Sequence, residues 1–95
     1  MRTLLIDDIR NISADIVARD YFEGIKALED NPPFEILYLD HDLASFDDAG
    51  KEKTGYDIMC WLEEHPEKLP KKIEIVSSNP VGRQNIQRVI DKLYK

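Results

Sequence analysis

The chain has 95 residues and a formal net charge of −6, with 42 % apolar and 34 % charged residues. That supplies one modest core and one site, and it argues against broad, phosphate-driven binding to nucleic acid while leaving room for a short nucleic-acid end in a local pocket. A long apolar run and a signal-peptide pattern are both missing, and the single cysteine, Cys60, rules out an internal disulfide framework, so the chain reads as cytoplasmic with no membrane segment.

Thr3-Leu4-Leu5-Ile6 is a brief continuous apolar run followed by Asp7-Asp8, the pattern of a strand buried on both faces that ends at a polar rim. After a loop through Asn11 and Ser13, residues Asp15 to Arg19 read as a second short strand. Asp20 and Glu23 then form an acidic capping box for a helix that presents Phe22, Ile25 and Leu28 on one face and stops at Asn31-Pro32-Pro33. The competing reading is one helix from about Ser13 to Asp30, because Ile16 and Val17 also fit a helical stripe. Phe34 to Leu39 is a further strand, and it runs directly into Asp40-His41-Asp42.

Residues 44 to 53 are polar, with turn chemistry at Asp47-Asp48-Ala49-Gly50, and read as an exposed loop able to act as a lid. Thr54 caps the next helix with Asp57 three positions on. Tyr56, Met59, Trp61 and Leu62 supply its apolar surface, Cys60 sits within it as a packed thiol, and His65-Pro66 ends it. His65 belongs to helix termination and solvent. Ile73 to Ser77 is another strand. Asn79 and Pro80 are a cap and a first helical residue, and the last helix places Ile86, Val89, Ile90 and Leu93 toward a core, with Arg83, Gln87, Arg88 and Lys92 facing water. Internal repeats and low-complexity tracts do not occur.

Strands and helices in alternation predict one domain over residues 1–95, a small three-layer α/β/α sandwich around a mainly parallel four-stranded sheet. The carboxyl ends of such strands share a rim where ligands bind. That rim gathers Asp7, Asp8, Asp40, His41, Asp42, Ser77 and Asn79. Clustered carboxylates call for a hard divalent cation or a raised pKa on one member, and Mg2+ suits an all-oxygen set that also meets a phosphate. Zinc fits poorly with one distant cysteine and one histidine. His41 is the imidazole placed to take and return a proton near neutral pH. Ser77, Ser78, Asn79 and Gly82 line a helix start that can receive a phosphate, besides serving as an ordinary helix cap. The competing reading of Asp7 and Asp8 is a pair of loop-start acids bonding nearby backbone amides.

Acid pair, acceptor aspartate and serine at three strand ends resemble the receiver domains of bacterial response regulators. LIDDIR, LYLDHDL, TGYDIMCWL and SSNPVGRQNI resemble more specifically the cyclic-phosphate processing receiver domain family, over most of the chain. The resemblance implies a truncated receiver (flavodoxin-like) topology lacking the fifth strand and helix. It implies metal at Asp7, Asp8 and Asp40, His41 with Asp40 and Asp42 as the catalytic set, and Ser77 and Asn79 facing a phosphate. The implied partner is a phosphorylated small molecule or an RNA end. Two departures stand out. Many members carry a histidine where this chain has Val76, and the lysine on a fifth strand that ordinary receivers use has no strand to sit on before Lys95. Three functions follow in order: a phosphoesterase acting on cyclic phosphates, a non-catalytic module binding Mg2+ or a phosphorylated ligand and acting through a partner, and a receiver phosphorylated on Asp40.

Overall fold

The computed structural model describes residues 2–94. In chain order they form strand β1 (Thr3–Ile6), strand β2 (Ile16–Ala18), helix α1 (Tyr21–Asp30), strand β3 (Ile36–Leu39), strands β4 (Ser45–Phe46) and β5 (Glu52–Lys53), helix α2 (Gly55–Glu64), a 3-10 turn (Pro66–Lys68), strand β6 (Lys72–Ile75) and helix α3 (Pro80–Leu93). The stretch open to a helical reading is therefore a strand followed by a helix. Asp20 Oδ1 stops the backbone from continuing as one helix, because it accepts the N–H of Glu23 at 2.8 Å and starts α1 there. The reciprocal half of the expected capping box falls one residue early: Glu23 takes the N–H of Arg19 at 2.7 Å.

Four strands pair in the order β2-β1-β3-β6, all parallel, which is the expected four-stranded receiver-like sheet. The register aligns Leu4 with Ile16 and Leu37, and Leu37 with Ile73; two residues on, Ile6 aligns with Ala18 and Leu39, and Leu39 with Ile75. Because side chains alternate across a strand, these rows share one face. That face packs with Leu28 of α1, Ile58, Met59 and Leu62 of α2, and Ile86 of α3 in a single core. All three helices thus gather on one side. Leu5, Val17, Tyr38 and Glu74 form the corresponding row on the opposite side, where Val17 is exposed. The layering accordingly differs from a three-layer sandwich: the loop that joins β1 to β2 holds no helix to cover the second face.

Close packing leaves its mark on glycine. A Cβ on Gly24 would lie 2.8 Å from Cδ1 of Ile6, so with any larger residue the Ile6 side chain would have to shift for α1 to keep this approach to β1. Phe22 falls on the solvent side of that helix, contrary to its place in the expected stripe; the turn of α1 that meets the sheet uses Gly24 and Leu28. On α2, Thr54 and Asp57 form the expected capping box. Cys60 is half-buried, and burial pushes its thiol up, as suits a packed group. His65 caps the end of α2 but does not point freely into water; its ring stacks on Trp61 with centroids 4.0 Å apart. Among the described residues no helix is long and apolar enough to cross a membrane.

The polar stretch after Asp42 is a hairpin and not an open loop. β4 and β5 pair antiparallel, Asp47 Oδ1 accepts the N–H groups of Ala49 and Lys51, and Gly50 turns the chain at φ 80°. Leu43 and Ser45 anchor it. Leu43 belongs to the core, and the buried Ser45 hydroxyl accepts the N–H of Tyr21 at 2.9 Å.

Candidate functional site

Parallel strands deliver their carboxyl ends to one side of the sheet, and three of those ends meet here. Asp7 follows the central strand β1 and is fully buried; Asp40 follows β3 and is 5 % exposed; Ser77 lies two residues past β6 and is 4 % exposed. Backbone bonds hold the spacing. The N–H of Asp40 donates to the carbonyl of Ile6 at 3.0 Å, and that of Asp7 to the carbonyl of Ala18 at 3.1 Å. One oxygen each from Asp7, Asp8 and Asp40 lies within 4.8 Å of the other two. The acid cluster inferred from the sequence is therefore assembled, with Asp8 more open than its companions.

Its electrostatics are not symmetrical. Burial alone would raise Asp7, but the N–H groups of Ile9 (3.0 Å) and Arg10 (3.1 Å) on Oδ1 and the Arg10 guanidinium on Oδ2 (3.1 Å) outweigh it and hold the carboxyl below its ordinary range. Burial pushes Asp40 up, and the neighbouring charge of Asp7 adds to that; the Ser77 hydroxyl, the His41 N–H and Arg10 oppose it without cancelling it. So Asp7 is the settled anion and Asp40 the strained one. The loop-start reading of Asp7, an acid bonding local amides, holds together with its place in the cluster.

Arg10 is the residue that the sequence reading missed. Its Nη1 lies 3.1 Å from Asp7 Oδ2 and 3.7 Å from Asp40 Oδ2, bridging the two buried acids. Arg19, at the end of β2, fixes the loop behind it by donating to the carbonyls of Asp7 (3.3 Å) and Arg10 (2.7 Å) and to Asn11 Oδ1 (2.9 Å). The available signal was the Asp7-to-Arg10 spacing of three, which lets a side chain turn back onto a strand-end acid.

On the other side of Asp40 the chain turns outward. His41 Nδ1 lies 2.9 Å from Asp42 Oδ1, so its N–H donates to the carboxylate. Asn79 reaches the same carboxylate through Nδ2, at 3.4 Å and 3.5 Å. The His41 ring lies against the first turn of α3. A Cβ on Gly82 would come within 2.4 Å of His41 Cγ, so glycine there provides the seat for the imidazole.

The segment read as a phosphate receiver is well occupied by its own bonds. Ser77 Oγ accepts the N–H of Asn79 at 3.1 Å and bonds Asp40, while Asn79 Oδ1 accepts the N–H of Gly82 at 3.1 Å. Ser78 is exposed. Arg83, expected to face water, turns back instead and donates to the carbonyls of Ile75 (3.2 Å) and Ser77 (2.9 Å), tying the start of α3 to the end of β6. The structure thus brings together Asp7, Asp8, Asp40 and Ser77 in one cluster, and His41, Asp42, Asn79 and Gly82 in an adjoining one, with Asp40, His41 and the Ser77–Asn79 bond linking them.

The donor set tests what this cluster can hold. Carboxylate oxygens alone, two of them from buried residues, suit a hard divalent cation of the Mg2+ kind and offer no sulfur or imidazole to select zinc. The cluster could hold such an ion.

Comparison with known proteins finds no match among curated proteins and none among solved structures. The family model described as the cyclic-phosphate processing receiver domain matches residues 2–92, which spans every element from β1 nearly to the end of α3. With that match over almost the full length, and with its acid, Asp-His-Asp and Ser-x-Asn-Pro motifs assembled at one rim, the chain belongs to the cyclic-phosphate processing receiver domain family.

Proposed function

We propose that this protein is a phosphoesterase that opens or removes a cyclic phosphate, on an RNA end or a cyclic nucleotide, with His41 moving the proton. The observation that carries the reading is the His41–Asp42 pair at 2.9 Å, seated on Gly82 beside the buried Asp40. Asp42 holds Nδ1 as the donor, which leaves Nε2 as the basic nitrogen, and Asn79 steadies Asp42 from α3. The hydrolysis balances with one imidazole. Nε2 accepts a proton from water as the water oxygen bonds to phosphorus; the ring P–O bond breaks, and the same proton passes to the leaving oxygen. Asp7, Asp8 and Asp40 are the residues that would hold Mg2+, which when bound would supply positive charge to phosphate oxygens. The family resemblance implies a second histidine where this chain has Val76, so one ring has to serve both halves of the transfer.

Incubation with 2′,3′-cyclic nucleotides and with RNA ends, with and without Mg2+, tests it. His41→Ala is expected to lower turnover by about 10²- to 10⁴-fold, the usual weight of a positioned acid–base group. Absence of turnover by the native chain, or full turnover by His41→Ala, would end the proposal.

A second reading has its own support: Ser77 Oγ and Asn79 Oδ1 are already engaged in holding the start of α3, which suits a module that binds Mg2+ or a phosphorylated ligand and acts through a partner. Saturable binding of either ligand with no product formed supports that reading, and efficient hydrolysis removes it.

A further inference from the structure

Each buried acid gives Oδ1 to backbone N–H groups and turns Oδ2 toward Arg10, with Asp40 having the Ser77 hydroxyl as a further partner. Asp7 Oδ1 is taken by the N–H groups of Ile9 and Arg10, and Asp40 Oδ1 by the N–H of His41 at 2.8 Å. The remaining oxygens, Oδ2 of both residues, face a single nitrogen, Nη1 of Arg10. These are the oxygens that a cation shared by Asp7 and Asp40 would need. Arg10 is itself 35 % exposed, so its guanidinium has open solvent to move into, whereas the acids are fixed by backbone bonds and cannot follow it. A guanidinium and a divalent ion on the same two oxygens would lie only a few ångströms apart in a site of low polarity, where like charges repel strongly.

We propose that Arg10 is an exchangeable internal counter-ion: it bridges Asp7 and Asp40 and offsets part of their charge in the metal-free protein, and a divalent cation enters only as the guanidinium leaves. The inference rests on the reading of Asp7, Asp8 and Asp40 as metal ligands. It adds that Arg10 sets the metal affinity of this site and the concentration at which the site fills. Such a device keeps two buried carboxylates partly compensated when no metal is bound, and it confines metal loading to conditions in which the ion outcompetes a tethered cation at high local concentration.

Mn2+ titration by calorimetry of the full chain at pH 8 tests it, comparing the wild type with Arg10→Gln, Arg10→Lys and Asp40→Asn. The expected result is Mn2+ binding at least tenfold tighter in Arg10→Gln than in the wild type, with Arg10→Lys between them and Asp40→Asn binding much more weakly. Equal or weaker binding by Arg10→Gln, with the wild type binding well, overturns the exchange and leaves the metal reading standing. Binding by neither protein, or binding that ignores Asp40→Asn, overturns both. Should Arg10→Gln fail to fold, the wild type alone decides. In arginine side-chain NMR, Mg2+ saturation is expected to shift the Arg10 Nε–H signal, assigned by its loss in Arg10→Lys, and to leave those of Arg2 and Arg88 in place; an unmoved Arg10 signal overturns the proposal.

Discussion

Asp7 and Asp40 sit in one cluster, yet replacing each by the neutral isostere is expected to change stability in opposite directions. Asp7→Asn keeps an oxygen for the N–H groups of Ile9 and Arg10 but loses the charge that meets Arg10 Nη1 at 3.1 Å, in a fully buried position. Loss of a buried, charge-assisted partner costs about 2–3 kcal/mol. Asp40→Asn removes a charge that burial and Asp7 already disfavour, while an oxygen remains for the His41 N–H. A gain in stability follows, opposite in sign to the effect at Asp7. For a chain of this size about 1 kcal/mol moves Tm by roughly 4–8 °C, so thermal melts at pH 7 with EDTA should place Asp7→Asn roughly 10–20 °C below the wild type and Asp40→Asn above it.

The pH dependence separates the two effects further. Asp7 is held low, so its contribution is full above the ordinary carboxylate range and disappears as pH falls through its lowered pKa. Asp40 is raised, so its protonated form favours the fold: that contribution is full below 3.8 and is lost as pH rises through the raised pKa. The advantage of Asp40→Asn should therefore shrink on acidification and vanish near 3.8, the ordinary value for an aspartate. If Asp40→Asn at pH 7 were as destabilising as Asp7→Asn, Arg10 would be holding both acids equally, and the asymmetry argued from burial and hydrogen bonding would be wrong.

Other positions yield sharp expectations as well. Gly82→Ala puts a carbon 2.4 Å from His41 Cγ, so the ring must leave its seat; a changed His41 signal by NMR and at least a tenfold loss of any turnover are expected, with stability lower by about 1–3 kcal/mol. Gly55→Ala meets the backbone oxygen of Asp40 at 2.1 Å, which cannot rotate away, so denaturant unfolding should show a cost of about 3 kcal/mol or more, larger than at Gly82. Ser45→Ala leaves the N–H of Tyr21 without its acceptor in a buried setting, and the same experiment should show a loss of about 1–3 kcal/mol; a neutral result would mean that the hairpin is not anchored through this bond.

Much of this arrangement was legible in the residues. Apolar runs ending in acids located β1 and β3 together with their rim, and Asn79-Pro80 and Thr54 marked helix starts through the chemistry of capping. The pattern was silent where side chains act at a distance. A polar hairpin and a polar loop have the same composition, and what distinguishes residues 44–53 is the burial of Leu43 and Ser45 against distant partners. Phe22 fitted a helical stripe as well as Gly24 does, because periodicity reports apolarity and cannot weigh how closely a helix must approach Ile6. Arg10 was not singled out in the sequence, because its two partners are acids at the ends of different strands that only the folded loop brings together.

The connection from β1 to β2 links these observations. In a parallel sheet both faces are normally covered by helices, and the crossover between neighbouring strands usually supplies one. Here residues 7 to 15 cross without a helix, which removes a layer from the Val17 side of the sheet and keeps the chain at the rim just past Asp7. A helix would have carried residue 10 onto a sheet face. The loop, held at the carbonyls of Asp7 and Arg10 by Arg19, leaves Arg10 beside Asp40 instead. The same shortening that leaves one side of the sheet without a helix therefore supplies the acidic site with its own cation, and the charge balance of the site is a consequence of topology as well as of residue type.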